Sequence, residues 1–322
     1  MTTSPAVHIL HDNPDWIPPL GAALDAAGVP WREWPLTGGS IDLATEPPEG
    51  VFWSRLSASS HTRGAAVAKE QARAVLRWLE ASGRRTVNGS RVVELEVSKA
   101  AQYAALRAAG FDTPHTVVVF GTADLKARAR ELPLPFITKH NQGGKGLGVR
   151  RFDSIEAFDA YVDGPEFEHP VDGITLLQEY VTTAEPFVTR AEFVGGRFVY
   201  AVRVDTSAGS FELCPAEACA VPGADDTPPP PLFTERTDVD AAHPLVARLE
   251  AFLAAQGIEV AGVEFFETAD GRLLPYDINT NTNYNPDVEA VTRRSAAAAL
   301  AAFLGAELAS ATDARAESSV SA

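Results

Sequence analysis

The sequence predicts an α/β fold that opens with a small α/β domain. Three observations carry this expectation. Short apolar runs alternate with helically spaced ones over the first stretch, a βαβαβ-like order. A glycine-rich segment, Gly143 to Gly148, lies between two β-rich runs and precedes a helix. Further on, Asp270-Gly271 separates two more apolar-rich runs, a strong short-range hairpin signal.

In the first domain, Ala6 to Leu10 reads as a short buried strand. Pro18 to Gly28, with Leu20, Leu24 and Ala27 at helical spacing, reads as a helix ended by Gly28. Val51 to Trp53 is a second strand that leads into a polar loop. Ala65 to Ala81 is a long helix with Val67, Ala74, Leu76 and Leu79 inside, stopped at Gly83. Thr86 to Gly89 is a third strand running into a turn. Loops at the strand ends of such sheets commonly carry ligand contacts, which nominates Arg55, Ser57, His61 and Arg63; a plain solvated loop is the other reading.

Ser98 caps a helix through Ala109, and a strand runs from Thr116 to Phe120, with a helix near Ala123 to Arg130. The run ending at Lys139 then meets Gly143, Gly144, Gly146 and Gly148, and a strand at Val149 to Phe152 follows. Asp153 and Glu156 form a capping box for a helix from Ile155 to Val162. Gly144-Lys145 is followed by Gly146 instead of Ser or Thr, so this is no P-loop; nor does it match G-x-G-x-x-G. It reads as a flexible hairpin lid over phosphates, with Lys139 and Lys145 as cations, since glycines let backbone N–H groups approach a ligand closely. A mobile surface hairpin is the alternative. Strands at Ile174 to Val181, Phe187 to Val194 and Phe198 to Asp205 follow, the last two joined at Gly195-Gly196. After a proline-rich loop, His243 to Gln256 is an amphipathic helix. Ser295 to Leu308 is an alanine-rich closing helix, and Ser310 to Ala322 reads as a disordered tail.

Composition narrows the function. The 322 residues suffice for a sizeable core, and no run of about 18 apolar residues suggests a membrane span. The start, Met-Thr-Thr-Ser-Pro, resembles no secretory signal, and two cysteines are too few for a disulfide framework, so a reducing, cytoplasmic setting is expected. A formal charge of −16 argues against nucleic acid as a partner. Cys214 and Cys219 lack a Cys-x-x-Cys spacing and read as buried structural residues.

If Asp270 and Gly271 form a type I′ turn, with φ > 0 at both, Ala269 pairs with Arg272 and Glu264 falls opposite Asp277. Asn279 then shares their face. Two carboxylates about 5 Å apart repel by about 3 kcal/mol at an effective dielectric of about 20. A hard cation reverses that sign, and an amide oxygen completes an all-oxygen set suited to Mg²⁺. An edge hairpin with both carboxylates in solvent is the other reading.

A lysine before a Gly-rich hairpin, the strand Leu-Gln-Glu-Tyr-Val and a Glu…Asp-x-Asn hairpin, in this order, resemble the ATP-grasp superfamily, most closely its RimK-like glutamate ligase branch. The resemblance covers about Ser98 to Asn285 and implies an ATP-grasp fold: a pre-ATP-grasp domain over 1–95, a small subdomain with the lid over 96–175, and a subdomain with the metal site over 176–309. It implies that Lys99 and Lys139 contact ATP phosphates under the loop Gly143 to Gly148, and that Gln178, Glu179, Tyr180 and Val181 form the hinge that reads adenine. Glu185 would hold the ribose, and Glu264, Asp277 and Asn279 would bind Mg²⁺, with Mn²⁺ as an alternative. Arg190 corresponds to an arginine near the phosphates, but Val-Thr-Arg replaces the family's common Asp-Ile-Arg, so its acidic partner is missing. The family's Arg/Asn/Gly-Gly run that steadies the acyl-phosphate is replaced by Phe211 to Cys219, which leaves Arg203 or Arg293 to substitute. Asn281, Asn283 and Asn285 would reach the substrate, or merely end the hairpin.

The implied activity is an ATP- and Mg²⁺-dependent ligase joining a carboxylate to an amine, the carboxylate and amine being small molecules or peptides; a homo-oligomer stays open. A phosphotransferase shares every nucleotide contact. A nucleotide-binding module without turnover is a third reading, against which the intact lysine and metal sets argue.

Overall fold

The computed structural model describes residues 4–144, 146, 148–207 and 232–320, the side chains of 315–320 excepted. Lys145, Phe211, Cys214 and Cys219, and the readings placed on them, lie outside the described residues.

The first domain comprises β1 (Ala6–His11), α1 (Pro18–Ala26), β2 (Trp31–Pro35), β3 (Gly50–Arg55), α2 (Ala68–Ala81) and β4 (Arg85–Val87). Its strands form a parallel sheet in the order β2-β1-β3-β4. The central strands β1 and β3 are buried on both faces, as continuous apolar runs in parallel sheets are. β2 escapes pattern reading because it is an edge strand with a mostly exposed, half-polar sequence, Trp-Arg-Glu-Trp-Pro. α2 begins three residues later than expected and buries Ala68, Ala72, Val75, Leu76 and Leu79; Val67 and Ala74 point outward.

Next come α3 (Ser90–Glu96), α4 (Lys99–Ala108), β5 (Thr116–Phe120), α5 (Leu125–Ala129), β6 (Phe136–His140), β7 (Arg150–Phe152), α6 (Ile155–Asp163) and β8 (Ile174–Glu179). Ser98 caps α4 by accepting from Ala101 N at 3.2 Å. The cap of α6 is Ser154, one residue after the expected Asp153. The antiparallel sheet has the order β5-β8-β6-β7. Because β8 lies inside this sheet, a boundary at 175 cuts a strand; the small subdomain runs on to Glu179. Phe136, Phe152 and Phe158 pack on one another beneath it, with ring centroids 5.0–5.6 Å apart.

The last unit holds β9 (Phe187–Val194), β10 (Arg197–Asp205), β11 (Phe233–Glu235), α7 (Pro244–Gln256), β12 (Val260–Glu267) and β13 (Leu273–Asn279), then α8 (Pro286–Val291) and α9 (Ala296–Val320). Its antiparallel order is β11-β10-β9-β12-β13. α7 buries Leu245, Leu249 and Phe252 with one face of this sheet. The helix expected to stop at Leu308 continues to Val320, so Ser310 onward is no coil up to there. Its sequence, Ala-Thr-Asp-Ala-Arg-Ala-Glu, offers strong helix formers and no breaker. Leu300, Ala301 and Leu304 of α9 join Leu20, Leu24 and Val51 of the first domain in one core. No helix among the described residues is long and apolar enough to cross a membrane.

Candidate functional site: a cleft between two antiparallel sheets

A cleft opens between the small sheet and the large one, with residues of the first domain, Trp16, Ser57 and Ser59, at one end. The large sheet supplies its floor through strand alternation. Val188, Arg190 and Glu192 of β9 face the cleft, as do Glu264 and Phe266 of β12. Pairing places Arg190 beside Glu264, and Glu264 beside Asp277. The next row sets Glu192 beside Gly262, and Gly262 beside Asn279. One sheet face thus carries Arg190 and three carboxylates, Glu192, Glu264 and Asp277, with Asn279 beside them.

The opposition of Glu264 and Asp277 matches the sequence expectation, but by another route. Asp270 does not adopt positive φ; only Gly271 does, at +80°. Thr268 N donates to Arg272 O at 3.0 Å and Gly271 N to Thr268 O at 2.9 Å, so the loop is one residue longer than a type I′ turn. Glu267 therefore pairs with Leu273 and Phe265 with Pro275. A β-bulge at Tyr276 absorbs the extra residue and returns Glu264 to Asp277. The two-residue turn forms instead at Gly195-Gly196, where both φ values are positive.

Asn279 Nδ2 donates to Asp277 Oδ2 at 3.2 Å and lies 3.5 Å from Glu264 Oε1. Lys99 Nζ pairs with Asp277 Oδ1. Burial works against the Lys99 ammonium, yet Asp277 outweighs it and raises the pKa; burial likewise opposes the Asp277 charge, and Lys99 holds its pKa below the usual range. Lys139 stands over the Tyr276 ring, 5.0 Å from its centroid. Burial, then repulsion from Lys99, lowers its pKa to about 8.

Arg190 is not without an acidic partner. Its Nε donates to Glu192 Oε1 at 2.7 Å, Nη1 to Glu264 Oε1 at 2.8 Å and Nη2 to Thr282 Oγ1 at 2.7 Å. Thr282 in turn donates to Glu192 Oε2 at 2.7 Å. Period-2 spacing from Arg190 already marks Glu192 as sharing its face. Burial opposes the guanidinium charge, but Glu192 and Glu264 raise its pKa.

On the facing side, Ile137 and Lys139 of β6, Gly143, Gly144 and Gly146 of the lid, and Gln178 to Val181 line the cleft. Gly148 turns the lid at φ +73°, where a Cβ would meet the His140 ring at 2.7 Å. Gln178 is a brace: its amide donates to Tyr103 Oη and Thr116 Oγ1, each at 2.7 Å. Glu179 accepts from His115 N at 2.8 Å, and Tyr180 N donates to Pro135 O at 3.2 Å.

No protein-family model matches the chain. It is 33% identical over 143 residues to a probable alpha-L-glutamate ligase of Xanthomonas oryzae pv. oryzae (strain MAFF 311018), covering 43% of this chain and 46% of that one. The chain spans about half the length of the curated relatives it matches. Among solved structures, a RimK domain ATP-grasp protein from Sphaerobacter thermophilus DSM 20745 matches with TM-score 0.67 at 18% identity, over 92% of this chain and 98% of that one. The chain has the ATP-grasp fold. The ATP-grasp ligase PsnB, solved with a minimal precursor, Mg and ADP, matches with TM-score 0.63 at 15% identity, over 96% and 99% of the two chains.

Several residues expected at the ATP-grasp cleft lie elsewhere. Arg203 alternates to the opposite sheet face from Val202 and Val204; it stacks 4.2 Å from the Phe187 ring centroid and lies 3.5 Å from Glu185, itself largely exposed. Arg293 is exposed. Arg55 is fully buried, donating to Thr282 O at 2.8 Å and Asn283 Oδ1 at 2.7 Å, a strut between the first domain and the 282–283 segment instead of a ligand contact. Arg63 pairs with Asp12 and stacks on Trp16, and His61 bonds Lys69. Asn281, Asn283 and Asn285 all line the cleft, though Asn283 is held by Arg55 and Asn285 caps α8.

Glu96 had no local signal. Its carboxylate accepts from Ala58 N at 3.1 Å, Thr280 N at 2.9 Å and Thr280 Oγ1 at 2.8 Å, partners far off in sequence. Burial first, with Asp277 adding, raises its pKa to about 7 against the pull of those donors.

Proposed function

We propose that the chain is an ATP- and Mg²⁺-dependent ligase that joins a carboxylate to an amine through an acyl-phosphate, releasing ADP and phosphate. The observation that carries this reading is the convergence of Lys99 and Lys139 with Glu264, Asp277 and Asn279 at one cleft under a glycine-rich hairpin. The name of the Xanthomonas oryzae relative and the PsnB complex with Mg and ADP support it. The three proposed units, with boundaries near 95 and 180, divide the labour: lid and hinge on the small subdomain, metal set on the large one.

The donor set fits a hard cation. Among the described residues no group of three His, Cys, Asp or Glu side chains could hold a metal ion, so the third donor would be the Asn279 amide oxygen after a half-turn of its side chain. Held by Glu264, Asp277 and Asn279, the ion would neutralise phosphate charge. Lys139 and Lys99 would hold the phosphates, and Arg190, kept charged by Glu192 and Glu264, would face the negative charge that develops during transfer. The Tyr180 N–H donates to Pro135, and the Val181 backbone would pair with adenine between Ile137 and Phe266. Closing the lid would keep water from the acyl-phosphate.

The test is ADP and phosphate release from Mg-ATP with pooled carboxylic and amino acids, with mass spectrometry of the products. Release that needs both pools, with a product mass equal to their sum less water, is the expected result. A phosphorylated product would make it a kinase, and nucleotide binding without turnover a binding module.

A further inference from the structure

The bulge in β13 does more than restore register. In an unbroken strand Tyr276 and Asp277 would face opposite sides, yet both line the cleft. The bulge turns Tyr276 inward, and three contacts fix what it does there. Its hydroxyl donates to Glu264 Oε2 at 2.6 Å, while Arg190 Nη1 holds Oε1 at 2.8 Å, so the carboxylate is gripped from both sides. Its ring stacks on Phe266 with centroids 4.1 Å apart and carries the Lys139 ammonium 5.0 Å away. Its carbonyl accepts from Tyr103 Oη at 2.9 Å, and Tyr103 Oη accepts from Gln178 Nε2 at 2.7 Å.

We infer that Tyr276 is a positioning residue, placed by the bulge to orient Glu264 toward a divalent cation and to seat Lys139 beside the phosphates. This rests on the nucleotide-binding reading above. Through Tyr103 it also ties the hinge strand β8 to the metal set, so that the two halves of the cleft share one hydrogen-bonded chain. Partners that orient a metal's ligands commonly change metal affinity by about 10- to 100-fold when removed.

The experiment is calorimetry of ADP binding with and without Mg²⁺ for the full chain, Tyr276→Phe and Glu264→Gln, singly and together. Tyr276→Phe keeps the ring under Lys139 and removes only the hydroxyl. It should bind ADP alone within about twofold of the parent, yet lose about tenfold of the enhancement that Mg²⁺ gives. On the Glu264→Gln background the same change should add little, because the hydroxyl acts through that carboxylate. An unaltered Mg²⁺ response in Tyr276→Phe, or full additivity in the double variant, overturns the inference. Absence of ADP binding by the parent overturns the nucleotide reading itself. Should Tyr276→Phe not fold, by circular dichroism, Tyr103→Phe releases the bulge carbonyl and must show the same selective loss of Mg²⁺ response.

Discussion

Lys99, in the first turn of α4, and Asp277, near the end of β13, form an ion pair in the cleft wall. Both side chains are largely shielded, so the pair matters to stability. Lys99→Met leaves Asp277 beside Glu264 with less compensation and should destabilise the protein by about 3 kcal/mol at pH 7. Asp277 has a lowered folded pKa, so its share is present at neutral pH and lost as pH falls through that value. Lys99 has a raised one, so its share is full below the ordinary lysine value and lost as pH rises past the folded one. Urea titrations should show the gap between parent and variant narrowing as pH falls from neutral through the ordinary carboxylate range; a gap that stays constant through that range counts against the pair.

On the proposed nucleotide reading, Lys139 should make binding depend on pH. Free, its pKa is about 8; a phosphate beside it stabilises the ammonium and raises that value. Affinity should be flat below about pH 8 and fall as pH rises above it, with proton uptake on binding. Calorimetry at pH 8.5 in buffers of different ionisation enthalpy measures the uptake directly. Lys139→Arg, charged throughout, should abolish it.

The parts of this fold that were legible in the sequence are those with local causes. Ser98 caps α4 and the Gly195-Gly196 turn joins β9 to β10 because the residues concerned act on their neighbours. The pairing of Glu264 with Asp277 was reached through a turn that does not form: a longer loop and a bulge cancel, and neither leaves a mark in the pattern of apolar residues. Glu96 and the strut role of Arg55 escaped because each depends on partners far off in sequence, and Tyr276 escaped because a bulge turns it toward Glu264 on the neighbouring strand. Arg203 was misplaced for a simpler reason: counting by two from Val202 puts it on the far face.

Gly262 is needed for what its absent side chain permits. A Cβ there would meet Arg190 Nη2 at 2.5 Å and Nε at 2.7 Å. Gly262→Ala should therefore push the guanidinium off Glu192 and Glu264 while the β12 ladder survives. ADP release in the coupled assay should fall by about 100- to 1,000-fold, the scale of a lost charge-stabilising donor, with thermal stability lowered by about 1–2 kcal/mol. Parent-like turnover would show that Arg190 has no part in the chemistry.

Glu96 fastens the Ser57–Ser59 loop to the end of β13, and it does so as a buried carboxylate whose pKa is raised to about 7. A raised carboxyl pKa means that the folded protein holds its proton where the unfolded chain has lost it. Stability contributed by this group therefore declines as pH rises from about 4.3 to 7, by up to about 1.4 kcal/mol per unit. Glu96→Gln removes that slope. It also puts an amide N–H against donors from Ala58 or Thr280, which costs about 1–3 kcal/mol for the group left unpaired. Parent and variant compared by urea titration at pH 5, 6 and 7 should thus converge toward pH 7, the parent losing its advantage as Glu96 ionises. Parallel stability curves over that range would mean that Glu96 is already ionised at pH 5, in which case its three donors outweigh its burial.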